Sequence, residues 1–168
     1  MQWQNRIVGE GEKPAAQFLA HPLNWRIHPT AQQAVLEALL ARIGWVQRVV
    51  ENRRTGYVLD GHLRVQLALK AGDSTPIPYL LVDVSPEEEQ TLLAVLDPVS
   101  ALAEADKEQL GTLLKAIQAE DAAVANLLKD LALTAIPPQD TVSFTIEDRP
   151  TCPTCGQKLK KGTAVSRD

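Results

Sequence analysis

The chain has 168 residues, a formal net charge of −4, 45% apolar residues and 23% charged ones. That composition supports a core for one domain with an appendage, and it excludes a disordered chain or two domains of ordinary size. No apolar run approaches the roughly 20 residues of a membrane span. Glu10, Glu12 and Lys13 argue against a signal peptide, and there are two cysteines, so a reducing cytoplasmic setting is expected.

Residues 1–16 read as an N-terminal segment, and an α+β domain over 17–100 follows. Thr30-Ala-Gln-Gln33 predicts a helix start, with Thr30 as N-cap and Gln33 reaching back in a capping box. Leu36, Leu39, Leu40 and Ile43 then recur at helical spacing, and Gly44 ends the helix. The β-branched stretch 45–51 and the segment 57–59 flank the turn Asn52-Arg-Arg-Thr-Gly56, which predicts a hairpin. His62 to Ala71 reads as a short helix closed by Gly72, with Leu63, Leu67 and Ala68 as its buried stripe.

Pro76 to Val84 is a further strand, with its prolines at the first positions where a missing N–H is tolerated. Ser85-Pro86-Glu87-Glu88 starts a helix, and Asp97-Pro98 is expected to end it. Two amphipathic helices, 106–119 and 121–131, form a helical extension over 101–133. Residues 134–141 have the composition of a linker. A short strand at 142–146 and a basic tail with Cys152-Pro-Thr-Cys155 complete the chain over 142–168.

Chemistry concentrates at Val58-Leu-Asp60-Gly61-His62-Leu-Arg64, where a strand ends, a glycine turns and a helix begins. The free N–H groups and positive dipole of that helix start suit an anion such as phosphate. Arg64 adds a fork that grips phosphate oxygens in pairs. The alternative is a tight turn with Arg64 paired to an acidic neighbour such as Asp83. The loop Asn24-Trp25-Arg26-Ile27-His28-Pro29 is a second basic element, suited to stacking on a base or holding phosphate. Its alternative is Trp25 packed on the core edge with Arg26 as a surface charge.

Cys152 and Cys155 make half of a zinc knuckle. A closed site needs four ligands, so zinc there requires sharing across a homodimer or recruiting a distant His. A vestigial, metal-free pair is the alternative. No phosphate-binding P-loop, dinucleotide fingerprint, nucleophile elbow or His-Glu-x-x-His motif is present. His62 is the candidate catalytic residue, as general base or phosphoryl acceptor. Charge is unevenly divided: residues 1–70 carry +4, 71–147 carry −11 and 148–168 carry +3. The acidic total therefore leaves room for a polyanionic partner.

The order of these features resembles the ParB/sulfiredoxin-like domain. The carrying residues are Asn24-Trp-Arg26 with His28-Pro29, a helix, a hairpin, Asp60-Gly-His-Leu-Arg64, the proline-led strand and Ser85-Pro-Glu-Glu-Glu89. The likeness spans roughly residues 17–100 and is nearest to versions found alone in phages and mobile elements or fused ahead of DNA methyltransferases. It implies a small mixed sheet packed with helices, CTP or ATP with Mg as ligand, and DNA as partner. In chromosome-partitioning members a loop arginine and a Gly-Glu-Arg-Arg segment hold CTP. Arg26, Gly61 and Arg64 match these, while His62 and Leu63 replace the Glu and the first Arg. The third CTP-binding segment, the helix-turn-helix domain and the methylase motif have no counterpart here.

Sulfiredoxin activity is not expected, because His62 stands where the nucleophilic Cys would be. Nuclease or nucleotide-hydrolase activity stays open. The resemblance thus implies a DNA-associated factor holding a nucleotide or nucleic-acid phosphate through Arg26, Asp60, Gly61, His62 and Arg64. The alternative is a non-catalytic adaptor that positions a methyltransferase or other partner on DNA.

Overall fold

The computed structural model describes residues 2–135. Its sheet grows from the hairpin: β2 (Val49–Asn52) and β3 (Val58–Asp60) pair antiparallel across the turn that closes at Gly56. Helix α2 (His62–Ala71) then crosses over, and β4 (Pro76–Val82) returns parallel to β2 with Val49 opposite Tyr79. β1 (Ile7–Pro14) adds antiparallel to the other side of β4, giving the order β1-β4-β2-β3. The result is the expected α+β class with a small mixed sheet.

β1 was not among the predicted elements. Gly9 and Gly11 interrupt it and its residues are mostly exposed, as befits an edge strand with no clean alternation. A single 3₁₀ turn at Ala15–Gln17 leads from it into a long loop. The core under the sheet is Ala15, Phe18, Val49, Val58, Val65, Ala68 and Ile77, flanked by Trp45 and Tyr79. Val49 and Ile77 are fully buried, each worth about 1.5–3 kcal/mol of transfer free energy.

β2 starts at Val49 rather than at 45. Continuing its parallel register backwards would set Arg48 against Pro78, which has no N–H to donate. Helix α1 (Thr30–Arg42) has Pro29 as its N-cap, with no side-chain cap, so Thr30 does not fill that place. Gln33 does reach back, but to the carbonyl of His28, at 2.8 Å. Gly44 stops α1 as expected, with φ +90° and its N–H on the carbonyls of Leu39 and Leu40.

Helix α3 (Pro86–Ala101) begins with the full capping box of Ser85 and Glu88, as predicted. It does not end at Asp97. Pro98 forfeits a single backbone bond, and the helix closes a few residues later with Leu102 N–H donating to Val99. Helix α4 (Lys107–Ala116) is N-capped by Asp106 and is shorter than expected. Helix α5 (Ala122–Ala135) is longer and takes in Thr134 and Ala135 from the expected linker. The Asp121 carboxylate caps it by accepting from Ala123 and Val124. The rest of that linker, the strand at 142–146, Cys152 and Cys155 lie outside the described residues. No helix among the described residues is long and apolar enough to cross a membrane.

Candidate functional site

α2 is amphipathic by composition, and its first turn carries both apolar and chemical residues. Leu63, Val65, Leu67 and Ala68 turn into the core, and His62 is buried with them at 8% exposure. The N-cap is Gly61, at φ +96° and ψ 18°, and no side chain among the described residues caps the helix. A Cβ there would meet Val49 Cγ2 at 3.0 Å and Arg64 Nη1 at 3.1 Å. Only glycine therefore brings the backbone this close to β2 in a left-handed conformation. The uncapped first turn leaves its N–H groups open to a ligand.

A cleft of about 180 Å³ opens at this turn. Its lining brings together Arg26, Asp60, Gly61, His62 and Arg64, the five residues assigned from the sequence to phosphate binding. His28 and Asp97 join them from the loop before α1 and from α3. His28 Nδ1 bonds Gln32 Oε1 at 3.0 Å, while its Nε2 is buried without a partner among the described residues. A buried polar atom of a cleft-lining residue calls for a partner, such as a water or a ligand atom.

Both guanidinium groups are held in place. Arg64 reaches Asp60 Oδ2 at 3.4 Å, four residues back, and its other amino group donates to Gln47 Oε1. Asp83 is not its partner, because that carboxylate already takes Arg53 and Arg54 from the hairpin turn. Arg26 pairs with Asp97 and lies 5.2 Å over the Trp25 ring. Trp25 does not pack on the core edge: it is 59% exposed, and its indole N–H donates to the carbonyl of Leu93 at 3.3 Å. The cleft's two arginines are thus balanced by two aspartates, leaving the helix start and the histidine edges to bias it toward anions.

Behind the cleft lies a buried polar network. Glu89 of α3, 4% exposed, accepts from His21 Nε2 at 3.1 Å, from Thr55 Oγ1 at 2.6 Å and from Asn52 Nδ2. Burial pushes the Glu89 carboxyl up, but the hydrogen bonds from Thr55, Asn52 and His21 outweigh it and hold it below its ordinary value. His21 Nδ1 accepts from the Leu23 N–H at 3.0 Å, which fixes the tautomer that donates from Nε2. The backbone N–H of His21 in turn donates to His62 Nε2 at 3.4 Å. Burial lowers the His62 pKa, against the attraction of Asp60 and with help from His21, His28 and Arg26. His62 is therefore held neutral, with its proton on Nδ1.

His21, Asn52, Thr55 and Glu89 were not found from the sequence. One signal was available for Glu89: it lies three and four residues before the half-buried Leu92 and Leu93, and so on the inward stripe of α3. Asn52 sat in a predicted turn, and nothing local marks it as fully buried.

No protein-family model matches the chain, and no curated protein matches it. Among solved structures it is similar to C-terminally truncated ParB, a chromosome-partitioning protein from Caulobacter crescentus, complexed with CTP-γ-S. The TM-score is 0.49 and the identity 14%, over 84% of this chain and 68% of that one. It is also similar to a Pnob8-like ParB-N domain, with a TM-score of 0.47 and 13% identity, over 78% of this chain and 50% of that one. A pNOB8-like ParB N-domain gives a TM-score of 0.47 and 14% identity, over 80% and 48%. The chain spans about half the length of these last two proteins.

Proposed function

We propose that the cleft at the start of α2 binds the phosphate groups of a nucleotide or nucleic acid, and that the chain works in association with DNA in a phage or mobile element. The observation that carries this reading is the convergence on one small cleft of Arg26, Arg64, His28 and a helix start that no side chain caps among the described residues. Its volume of about 180 Å³ is below the roughly 300–1,000 Å³ of pockets that enclose a whole small molecule. It suits phosphoryl groups, with the rest of the ligand outside.

The locked His62 favours binding over bond cleavage. Its Nε2 already accepts from His21, so its role here is to present Nδ1–H as a neutral donor. That supports the adaptor version of the reading, in which the domain positions a methyltransferase or other partner on DNA. Zinc at Cys152 and Cys155, shared between two chains, belongs to the same proposal, and metal analysis of the purified protein would then find about half a zinc per chain.

Fluorescence anisotropy of labelled duplex DNA with the full chain, with and without CTP or ATP and Mg, tests the DNA association. Binding that weakens steeply with salt and changes with nucleotide is expected. No binding to DNA at low salt under either condition would contradict it.

A further inference from the structure

Three contacts tie the loop before α1 to α3. His21 Nε2 donates to Glu89 Oε1 at 3.1 Å, the Trp25 indole N–H donates to the carbonyl of Leu93 at 3.3 Å, and Arg26 pairs with Asp97. Residues 89, 93 and 97 are spaced by four, so they stack along one side of the helix. The three contacts differ in burial. Trp25 and the Arg26–Asp97 pair are open to water, whereas the side chains of His21 and Glu89 are buried. Water replaces an exposed contact at little cost, and it does not reach a buried one. The His21 end of the loop is thus the anchored end.

Every polar group of His21 is engaged in this arrangement. Its Nε2 meets Glu89, its Nδ1 accepts from the Leu23 N–H, and its carbonyl accepts from the Asn24 N–H at 3.0 Å. Its own N–H donates to His62 Nε2. Asn24 Oδ1 then accepts the N–H of Arg26 at 3.3 Å. One buried residue therefore folds the turn that carries Arg26 and also holds the ring of His62. Tyr57 steadies the His21 ring edge-on, with centroids 5.2 Å apart.

We infer that Glu89 and His21 are positioning residues of the phosphate cleft. Neither lines it; they set its affinity by fixing where Arg26 stands and which nitrogen of His62 carries the proton. The inference rests on the phosphate reading above and adds how that site is held from behind. Asn52 and Thr55 also donate to Glu89, but from β2 and the hairpin turn rather than from the loop. They share its structural role without the positioning one.

Calorimetry of the full chain with sodium tripolyphosphate, paired with NMR of the histidine ring nitrogens, separates the two roles. The wild type is expected to show His62 protonated on Nδ1 and bare on Nε2. Glu89→Gln keeps the shape of the side chain and removes its charge. It is expected to weaken tripolyphosphate binding about five- to tenfold and to mix the His62 tautomers. His21→Gln, which loses the acceptor for Leu23, is expected to do the same, and it carries the test if Glu89→Gln does not fold. Thr55→Val takes a donor from the same carboxylate and lowers stability, yet is expected to leave the affinity and the tautomer unchanged. If Thr55→Val weakens binding as much as Glu89→Gln, if both glutamine variants bind like the wild type, or if wild-type His62 is protonated on Nε2, the positioning role is overturned and the phosphate site stands. If the wild type binds no tripolyphosphate, the phosphate site falls and the positioning role with it.

Discussion

Gly61 concentrates three demands on one residue: a left-handed backbone, contact with Val49 and room for the Arg64 guanidinium. Gly61→Ala is expected to cost about 1–2 kcal/mol from the backbone conformation alone. Denaturant unfolding would measure it, and a change near zero would show that the turn is not held as described. Asp97 is the opposite case, because it competes for Arg26 with any incoming anion. The pair is partly exposed, so Asp97→Asn is expected to tighten phosphate or nucleotide binding by up to about fivefold. Weaker binding in that variant would place Asp97 on the ligand's side. His62 gives a pH signature. Its pKa in the folded chain lies below the ordinary 6.5, so the unfolded chain takes up the proton first as pH falls. Stability is then complete above about pH 6.5 and declines below it. Glu89, whose pKa is also lowered, adds a loss of the same sign at more acid pH. His62→Gln is expected to flatten the upper part of the profile, and an unchanged slope would assign it to another group.

Among the elements, α2 was the most legible: His62–Ala71 and its glycine boundaries follow from apolar spacing and two turn residues. The hairpin and the capping box of α3 were legible for the same reason, because their signals are local. What was not legible depends on partners distant in sequence. β1 becomes a strand only because β4 offers an edge to it, and β2 begins where the prolines of β4 end. Pro98 sits inside α3 because its cost is one bond in the last turn. Of the cleft's lining, Arg26, Asp60, Gly61, His62 and Arg64 were picked out from the sequence, whereas the carboxylate that anchors the elements behind them was not. Glu89 ties α3 to β2, to the hairpin turn and to the loop at His21. Removing it strands three donors, so Glu89→Ala is expected to destabilise the fold by about 2–4 kcal/mol. Glu87→Ala, two residues earlier on the exposed face, is expected to change stability little in the same unfolding experiment.

At the scale of the whole molecule, the division of charge agrees with the site. The +4 of residues 1–70 contains Arg26 and Arg64, and the −11 of residues 71–147 contains Asp97 and the acidic start of α3. The two regions meet at the cleft, where a basic loop and a helix start face a carboxylate from the acidic part. A net of −4 therefore says little about what binds there. The central claim is that phosphate is held by the first turn of α2. Backbone amide NMR of the full chain during titration with CTP, or with tripolyphosphate, reads that turn directly. The largest shifts are expected on Gly61, His62, Leu63 and Arg64, with the side-chain signals of Arg26 and His28 moving at the same ligand concentrations. Shifts that leave Gly61–Arg64 unmoved while saturating elsewhere in the chain would contradict it.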